Sequence, residues 1–498
     1  MSAPIPLRAD PSEPPRLAAG WVGLDEAALG RLQGVCATVE TDPAVCAEWA
    51  RDWWPLALTW AASGAVPARA AAVVRPADAD EVSAVLAVCN NAGIPVTPAA
   101  GRSGVCGSSV PVSGGVVLDL TALAGIRSVD DHSLLVRVGA GTFGHTLEAE
   151  LRQRHSVTLG HWPQSVELST VGGWLACRSA GQYSTRYGKI EDMVNGLEAV
   201  TADGRKLSFG GRAPRSATGP DLVQLILGSE GTLAVITEAE LRVHPVPRGQ
   251  ASAAYAFDSF VTGLEACRLA LQRGATPAVL RLYDPAESSR SFHLDEGAVL
   301  IVLDEADPAL VDATMAIVAE ECERVGAAPA PVELVDVWLG HRNDVSALGA
   351  LISRGFVVDT VEVAGRWGVL PDLYRSVTAA LQEIPGTLTA SAHQSHAYVD
   401  GACLYFTFAA RPAEDAAPDW AERYYVAAWE AVMGSVVSHG AAVSHHHGIG
   451  LLRAGALKRS LGPAHELLTG IKALLDPNGI LNPGKLGLPS PFGPPAWP

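Results

Sequence analysis

An α+β fold built in more than one unit is predicted by three features of the chain. A strand, helix, strand succession runs from about residue 70 to 120, as in α/β units. Strand-like segments separated by turn residues follow between Ala199 and Val246, the pattern of an antiparallel portion. After Pro245 and Pro247, strands alternate with amphipathic helices, which predicts an open sheet carrying helices on one face. A chain of 498 residues leaves room for two or three such units.

The elements follow in order. The first twenty residues are rich in proline and charge and predict an arm or a disordered lead. A helical stretch is expected from about Asp25 to Trp54. AAVVRP reads as a short strand ending at Pro76, and DADEVSAVLAVCNNAG as a helix with aspartates at its start and a stop at Gly93. IPVTPAAG, VVLDL at Val116 to Leu120 and LLVRVGAG read as the next three strands of the same α/β portion. EAVTADGRKLSF and GTLAVITEAELRV supply the antiparallel portion. In the later unit SAAYAF, AVLRLYD and AVLIVLD are strands, and SFVTGLEACRLALQRG and DPALVDATMAIVAEECERVG are helices. From about Trp420 the chain is helical to Val437, then Gly- and His-rich, then helical again before a Pro/Gly-rich tail.

Composition excludes several function classes. Lys plus Arg number 36 and Asp plus Glu 53, a formal charge of −17, which opposes nucleic-acid binding because phosphate contacts need a basic face. The eight cysteines are scattered without a CxxC pair, as in a protein of a reducing compartment. No basic stretch followed by an apolar one opens the chain, and the longest apolar segment, near Trp54 to Ala65, is too short and interrupted to span a bilayer. The expectation is a soluble, cytoplasmic protein acting on a small molecule, with no integral membrane contact. No solenoid period or low-complexity tract is present.

Gly139, Gly141 and Gly144 in GAGTFG satisfy the GxGxxG dinucleotide fingerprint after a strand and before a helix. That fingerprint needs a second strand ending in an acid about 20 residues on, and SVTLGHWPQSVE offers none. A tight strand-to-helix turn needs the same glycines for steric reasons, and we adopt that reading. A different loop suits a diphosphate better. Pro98, Ala99, Ala100, Gly101, Arg102, Ser103 and Gly104 follow a strand directly, and their small side chains let backbone N–H groups approach an anion.

Taken with QSVELSTVGG from Gln164, CRSAG from Cys177, GSEGTLAVI from Gly228 and LDPNGILNPGKL from Leu475, this loop resembles the FAD domain of the vanillyl-alcohol-oxidase superfamily, the p-cresol methylhydroxylase (PCMH) type. The resemblance implies a two-lobed FAD-binding domain, an α+β substrate cap, and a C-terminal helical segment returning to the flavin. It places the diphosphate on Pro98 to Gly104. The rest of FAD would be met by Gln164, Ser165, Ser169, Thr170 and Gly173, by Cys177, Arg178, Ser179 and Ala180, and by Glu230, Gly231, Thr232, Val235 and Ile236. Arg102 stands where a small residue is usual, so it must point away or onto a phosphate. The loop lacks the histidine through which covalent members attach flavin, so a dissociable FAD is expected.

Three further segments narrow the likeness: SHHHGIG at Ser444 to Gly450 with Arg453, ACLYF at Ala402 to Phe406, and VLRLYD at Val279 to Asp284. They resemble the alkylglycerone-phosphate-synthase branch. The resemblance implies Tyr405 as acid/base, His445, His446 and His447 as residues that tune it and stabilise charge, and Arg281 beside the flavin. Read from the residues alone, an extended SHHHG would set His445 and His447 on one face and His446 on the other. The run could also be solvated, Tyr405 a core aromatic, and Arg281 a partner of Asp284 or Glu287. Near Leu348 the sequence lacks the arginine that anchors the substrate phosphate in that branch, which argues against glycerone phosphate esters. His396 in HAYVDG only faintly resembles the metal motif of related 2-hydroxyacid dehydrogenases, and no metal is expected.

The expected divisions are an N-terminal arm and helix over 1–55, the FAD-binding domain over 56–248, the cap over 249–425, and the His-cluster segment over 426–498. The expected function is FAD-dependent oxidation of a small organic substrate by hydride transfer to flavin N5. Redox-neutral alkyl transfer through an N5 adduct and flavin binding without catalysis are the alternatives. A homodimer would fit the relatives.

Overall fold

Short apolar strands buried on both faces build the first sheet. Ala72–Val74 and Val116–Asp119 are buried at every position. With Val96–Ala99 they pair in parallel, Val116–Asp119 lying in the middle. The connecting helix Ala79–Ala92 starts where Asp78 accepts from the N–H groups of Asp80 and Glu81, and it ends at left-handed Gly93. Pro98 is tolerated because Val96–Ala99 is the edge strand. This is a computed structural model, and it describes residues 15–17, 20–294 and 296–495. Most of the expected N-terminal arm therefore lies outside the described residues.

Two sequence expectations are corrected here. The helical stretch from Asp25 to Trp54 is broken into Glu26–Val35 and Pro43–Trp49, with strand Val39–Glu40 between them joining the first sheet. Pro43 forces the break: it cannot sit inside a helix, but it fits the first turn beneath Asp42, which caps Ala44 and Val45. The LLVRV strand, Leu135–Gly139, belongs to a second sheet, antiparallel to Val235–Arg242. Its buried Val136 and Val138 alternate with the less buried Leu135 and Arg137, the one-sided burial of an antiparallel strand. That sheet runs Ile126–Asp130, Leu135–Gly139, Val235–Arg242, Val194–Val200, Lys206–Gly210, and contains the predicted antiparallel portion.

The GxGxxG glycines serve packing. A Cβ on Gly139 would lie 2.0 Å from the Leu123 carbonyl oxygen, on Gly141 2.1 Å from that of Leu120, and on Gly144 2.4 Å from the Trp174 ring. The steric reading of this turn accounts for all three.

The third sheet has seven strands, all antiparallel, in the order Ala328–Ala330, Gly249–Phe257, Ala298–Ala306, Val279–Tyr283, Thr387–Ala397, Gly401–Ala410, Val357–Arg366. The period of two sorts its residues. Leu280, Leu282, Ala392, Leu404, Phe406, Val361 and Val363 point to one face and pack with Phe260 and Leu264 of helix Phe260–Gln272 and with Leu373 and Val377 of helix Leu370–Gln382. The polar residues between them are left to the other face, toward the FAD-type loops. The observed class is the expected α+β, with the predicted helices on one face of the open sheet. No helix among the described residues is long and apolar enough to cross a membrane.

The C-terminal run ties the parts together. Val96 donates to the Ile480 carbonyl at 2.8 Å and Asn482 donates to that of Val96 at 2.7 Å, so the run lines the edge of the first sheet beside the Pro98 loop. Asn482 Nδ2 also donates to the carbonyls of Glu230 at 2.6 Å and Ser108 at 3.0 Å, and Lys485 Nζ donates to that of Val110 at 2.7 Å.

Candidate active site

One cleft gathers the Gly-rich loops on one side and the polar face of the seven-stranded sheet on the other. Its loop side is close-packed backbone. A Cβ on Gly101 would fall 2.1 Å from the Leu168 carbonyl oxygen, and one on Gly231 2.9 Å from the Pro98 ring. The Pro98, Gln164 and Gly228 segments therefore meet one another directly. The N–H groups of Gly101 to Gly104 donate no hydrogen bond to the described residues, so they remain available to a diphosphate. These residues fit FAD: a backbone-lined cradle with free donors and no bulky side chain in the way.

Arg102 points away from the cradle. Its guanidinium donates to the Glu48 carbonyl and stacks 4.3 Å from the Trp49 ring, which settles the two options the sequence left open. Every other predicted FAD residue lines the cleft except Arg178 and Thr232. Arg178 caps helix Val171–Cys177 in the left-handed region and donates to Gln224 at 2.8 Å. Thr232 closes its own turn onto the Ser229 carbonyl at 2.7 Å. Glu230 lines the cleft, but its carboxylate accepts from the N–H groups of Ile449 at 2.6 Å and Gly450 at 2.8 Å. It joins the loop after the histidines to the FAD side, and burial pushes its carboxyl up to about 7.

On the sheet side, register explains the composition. Tyr405 lies opposite Glu362 on one neighbouring strand and His393 on the other, and His393 lies opposite Tyr283. Partners in an antiparallel pair share a face, so this row lies on the loop side of the sheet together with Arg281 and Thr360, each two residues from a member, and Tyr405, His393, Arg281 and Thr360 line the cleft. Tyr405 stacks on His393 with ring centroids 4.8 Å apart, and its oxygen accepts from Thr360 Oγ1 at 2.9 Å. Burial raises the phenol well above its ordinary value, so it stays protonated near neutral pH.

Arg281 does not pair with Asp284, whose carboxylate caps the next helix through Glu287 N–H at 2.8 Å and binds Ala392 N–H at 2.7 Å. It donates through Nη2 to His393 Nε2 at 2.6 Å, and the other ring nitrogen, Nδ1, meets Glu287 at 2.7 Å. An acceptor at Nε2 fixes the proton on Nδ1, so His393 is neutral. Arg281 lines the cleft, and its Nε is buried without a hydrogen-bond partner among the described residues, so the guanidinium keeps an unused donor.

The histidine run is shaped by Glu362. This carboxylate, at 0% exposure, accepts from the N–H groups of His445 and His447 and from Ser444 Oγ, and pairs with Arg453 at 3.1 Å. Burial alone would raise Glu362, but the Arg453 guanidinium and the hydrogen bond from the His445 N–H hold it below its ordinary value. Gly450 permits the turn: a Cβ there would lie 2.1 Å from the Cys106 carbonyl oxygen. The result corrects the extended reading of SHHHG. His446 and His447 face the cleft together, while His445 lies behind them, its Nδ1 3.0 Å from His446 Nδ1 and its Nε2 2.9 Å from the Tyr398 oxygen. Burial lowers all three, His445 and His447 to about 4, so they are neutral at pH 7.

The structure adds residues that motif reading did not single out: His393, Glu362, Thr360 and Asp359, with His396 in a new setting. Alternation in the SAHQSH run was the available signal for His393, but its meaning depends on which strand lies opposite. Ligand atoms of His396, His445 and His446 lie within 4.8 Å of one another, close enough to share a cation, although both ring nitrogens of His445 already have protein partners. Where the synthase branch has its phosphate-anchoring arginine, Leu348 lines the cleft, and Arg354 caps the end of helix Ser346–Ser353 outside it.

Comparison with known proteins agrees with this geometry. Residues 70–210 match the FAD binding domain family, and residues 246–486 match the C-terminal domain of FAD linked oxidases. The chain is 33% identical over 437 residues to the uncharacterised FAD-linked oxidoreductase YgcU of Escherichia coli strain K12, covering 84% of this chain and 88% of that one. It is 29% identical to the alkyldihydroxyacetonephosphate synthase of Dictyostelium discoideum, over 83% and 72% of the two chains. The D-lactate dehydrogenase of Archaeoglobus fulgidus is 28% identical over 83% and 90%. Among solved structures, an alkyldihydroxyacetonephosphate synthase superposes with TM-score 0.77 at 24% identity, covering 97% of this chain and 88% of that one. p-Cresol methylhydroxylase gives 0.74 at 16% identity, over 95% and 99%.

Glu362→Ala should cost about 3–5 kcal/mol of stability, because it strands the buried Arg453 cation and two backbone donors. Denaturant unfolding of the variant checks this, and a loss below about 1 kcal/mol would remove Glu362 as the organiser of the loop.

Proposed function

We propose that this chain, which belongs to the FAD-linked oxidase family of the vanillyl-alcohol-oxidase type and uses FAD as its cofactor, oxidises a small organic substrate. Bound FAD supplies a hydride acceptor. The chain supplies the rest. Neutral His446 and His447 can take a hydroxyl proton, and protonated Tyr405 can donate a hydrogen bond to the substrate oxygen. Arg281 contributes fixed positive charge where an oxyanion develops. The observation that carries the reading is the placement of proton acceptors, a phenol and an unspent guanidinium on one wall, facing the FAD cradle. Relatives named D-lactate dehydrogenase and glycolate oxidase subunit GlcD direct the search toward hydroxy acids, whose carboxylate suits Arg281.

A second reading is alkyl transfer of the alkyldihydroxyacetonephosphate synthase kind, favoured by the same SHHHG run and Tyr405. Leu348 counts against it, since no guanidinium stands there to hold a phosphate. Flavin binding without catalysis does not explain why Arg281, Tyr405 and two histidines converge on one cleft.

Adding hydroxy acids, alcohols or amines without oxygen should bleach the oxidised flavin absorption band. A shifted band without reduction, seen only with acylated glycerone phosphate, would favour alkyl transfer. Tyr405→Phe should lower kcat by roughly 10², and an unchanged kcat would take Tyr405 out of the chemistry. The proton acceptor works when unprotonated, and burial lowers His447 to about 4. The acid limb of kcat/KM should therefore fall below about pH 5 and not near the ordinary imidazole value of about 6.5. A limb near 6.5 would show that a solvated group is the base.

A further inference from the structure

Behind the cleft wall, five side chains join end to end. His446 Nδ1 lies 3.0 Å from His445 Nδ1, and His445 Nε2 lies 2.9 Å from the Tyr398 oxygen. The Tyr398 oxygen is 3.4 Å from Ser184 Oγ, which is 2.8 Å from His396 Nδ1. Both ends return to the same cleft, because His446 and His396 line it, with ring centroids 4.8 Å apart. The Nε2 atoms of these two rings take no protein hydrogen bond among the described residues, whereas each interior member is engaged on both sides.

The protons count correctly for a chain in which every group is neutral. With Nδ1–H on His446, His445 accepts at Nδ1 and donates Nε2–H to Tyr398. Tyr398 then donates to Ser184, Ser184 donates to His396 Nδ1, and His396 carries its proton on Nε2. One end thus presents a lone pair to the cleft and the other an N–H. The opposite polarity is equally self-consistent, and the two differ by the passage of one proton along the chain. Burial keeps the three imidazoles uncharged. His396 holds its place at a cost: it sits at φ 47, in the left-handed region that non-glycine residues avoid, beside a register shift between Ser395 and Ala397. That bend accompanies the contact of its ring with Ser184.

We propose that His446, His445, Tyr398, Ser184 and His396 form a proton relay that takes a proton from the substrate at one end and releases one at the other. This rests on the oxidative reading above. The substrate O–H bond breaks and His446 Nε2–H forms, the electron pair staying on the substrate oxygen. Each link hands on one proton, and His396 Nε2–H breaks as its proton passes to water in the cleft, whose lining includes exposed Gln164. No histidine keeps a net charge in the buried wall, which avoids the desolvation cost of an imidazolium there. After the product leaves, cleft water gives a proton to His396 Nε2 and the His446 Nε2–H bond breaks as its proton passes to water at that end, which restores the first polarity with the substrate proton left in solvent. His445, Tyr398 and Ser184 act through the two end histidines.

The test uses the FAD-loaded enzyme, Tyr398→Phe, which removes one oxygen and two links while keeping the ring, and Ser184→Ala as a second cut. Each should lower kcat about tenfold or more, with KM within about twofold and the bound-flavin spectrum unchanged. The wild-type kcat should show a solvent deuterium effect with a curved dependence on D2O fraction, because several protons move. Nitrogen NMR of 15N-histidine-labelled protein gives a readout independent of turnover: His446 and His396 should carry opposite tautomers, and Tyr398→Phe should remove that correlation. Unchanged kcat in both variants, or the same tautomer at both ends, would overturn the relay. If the wild type oxidises nothing offered, the oxidative reading fails by itself, and the tautomer pattern still decides whether the chain exists.

Discussion

Glu362 lies in the middle of strand Val357–Arg366 with 0% exposure, and its two oxygens organise the histidine loop on the sheet side of the cleft. Taking a carboxylate and a guanidinium out of water costs several kcal/mol per ion. Here the cost is offset by the pairing with Arg453, two backbone N–H donors and Ser444 Oγ. Arg453 in turn donates to the carbonyls of Glu362 at 2.8 Å and Val443 at 2.7 Å. The donors of His445 and His447 are held by one group, so the loop between them has little freedom. His446 and His447 turn to the cleft, and His445 turns back to Tyr398.

The second anchor crosses between the two sides. Glu230, itself in the left-handed region at φ 49, holds the N–H groups of Ile449 and Gly450. The loop carrying the histidines is thus fastened at its start to the seven-stranded sheet and at its end to the FAD cradle. Asn482 holds the Glu230 carbonyl, which links the C-terminal run to the same point. The separation of the histidine loop from the Pro98 and Gly228 loops is therefore set by two buried, hydrogen-bonded carboxyl groups and not by a free loop.

The electrostatic character of the wall follows from this packing. Burial makes its imidazoles neutral, raises its phenol and leaves Arg281 with an unspent donor. A cationic histidine cluster would bind anions of many kinds. A neutral one beside a single guanidinium can accept protons while placing its one positive charge at a defined position. His393, held between Arg281 and Glu287, keeps that guanidinium in place.

Much of this was legible from the chain. The loop Pro98 to Gly104, the ordered FAD segments, Tyr405, Arg281 and the SHHHG run are local patterns of small, polar or aromatic residues, and local patterns survive without knowledge of the fold. The α+β class was legible for the same reason, since hydrophobic periodicity is read within one element. Register and long-range pairing were not. LLVRV looked like one more strand of the first sheet because its partner, Val235–Arg242, lies about a hundred residues away. His393 and Glu362 became site residues only when their strands were laid beside Tyr405, and His445 left the cleft only because Glu362 bent its loop. The sequence by itself determined which chemical groups the protein carries and that FAD is its cofactor. The tertiary structure alone decided which of those groups share a face, because a one-residue change of strand pairing turns every side chain to the opposite side.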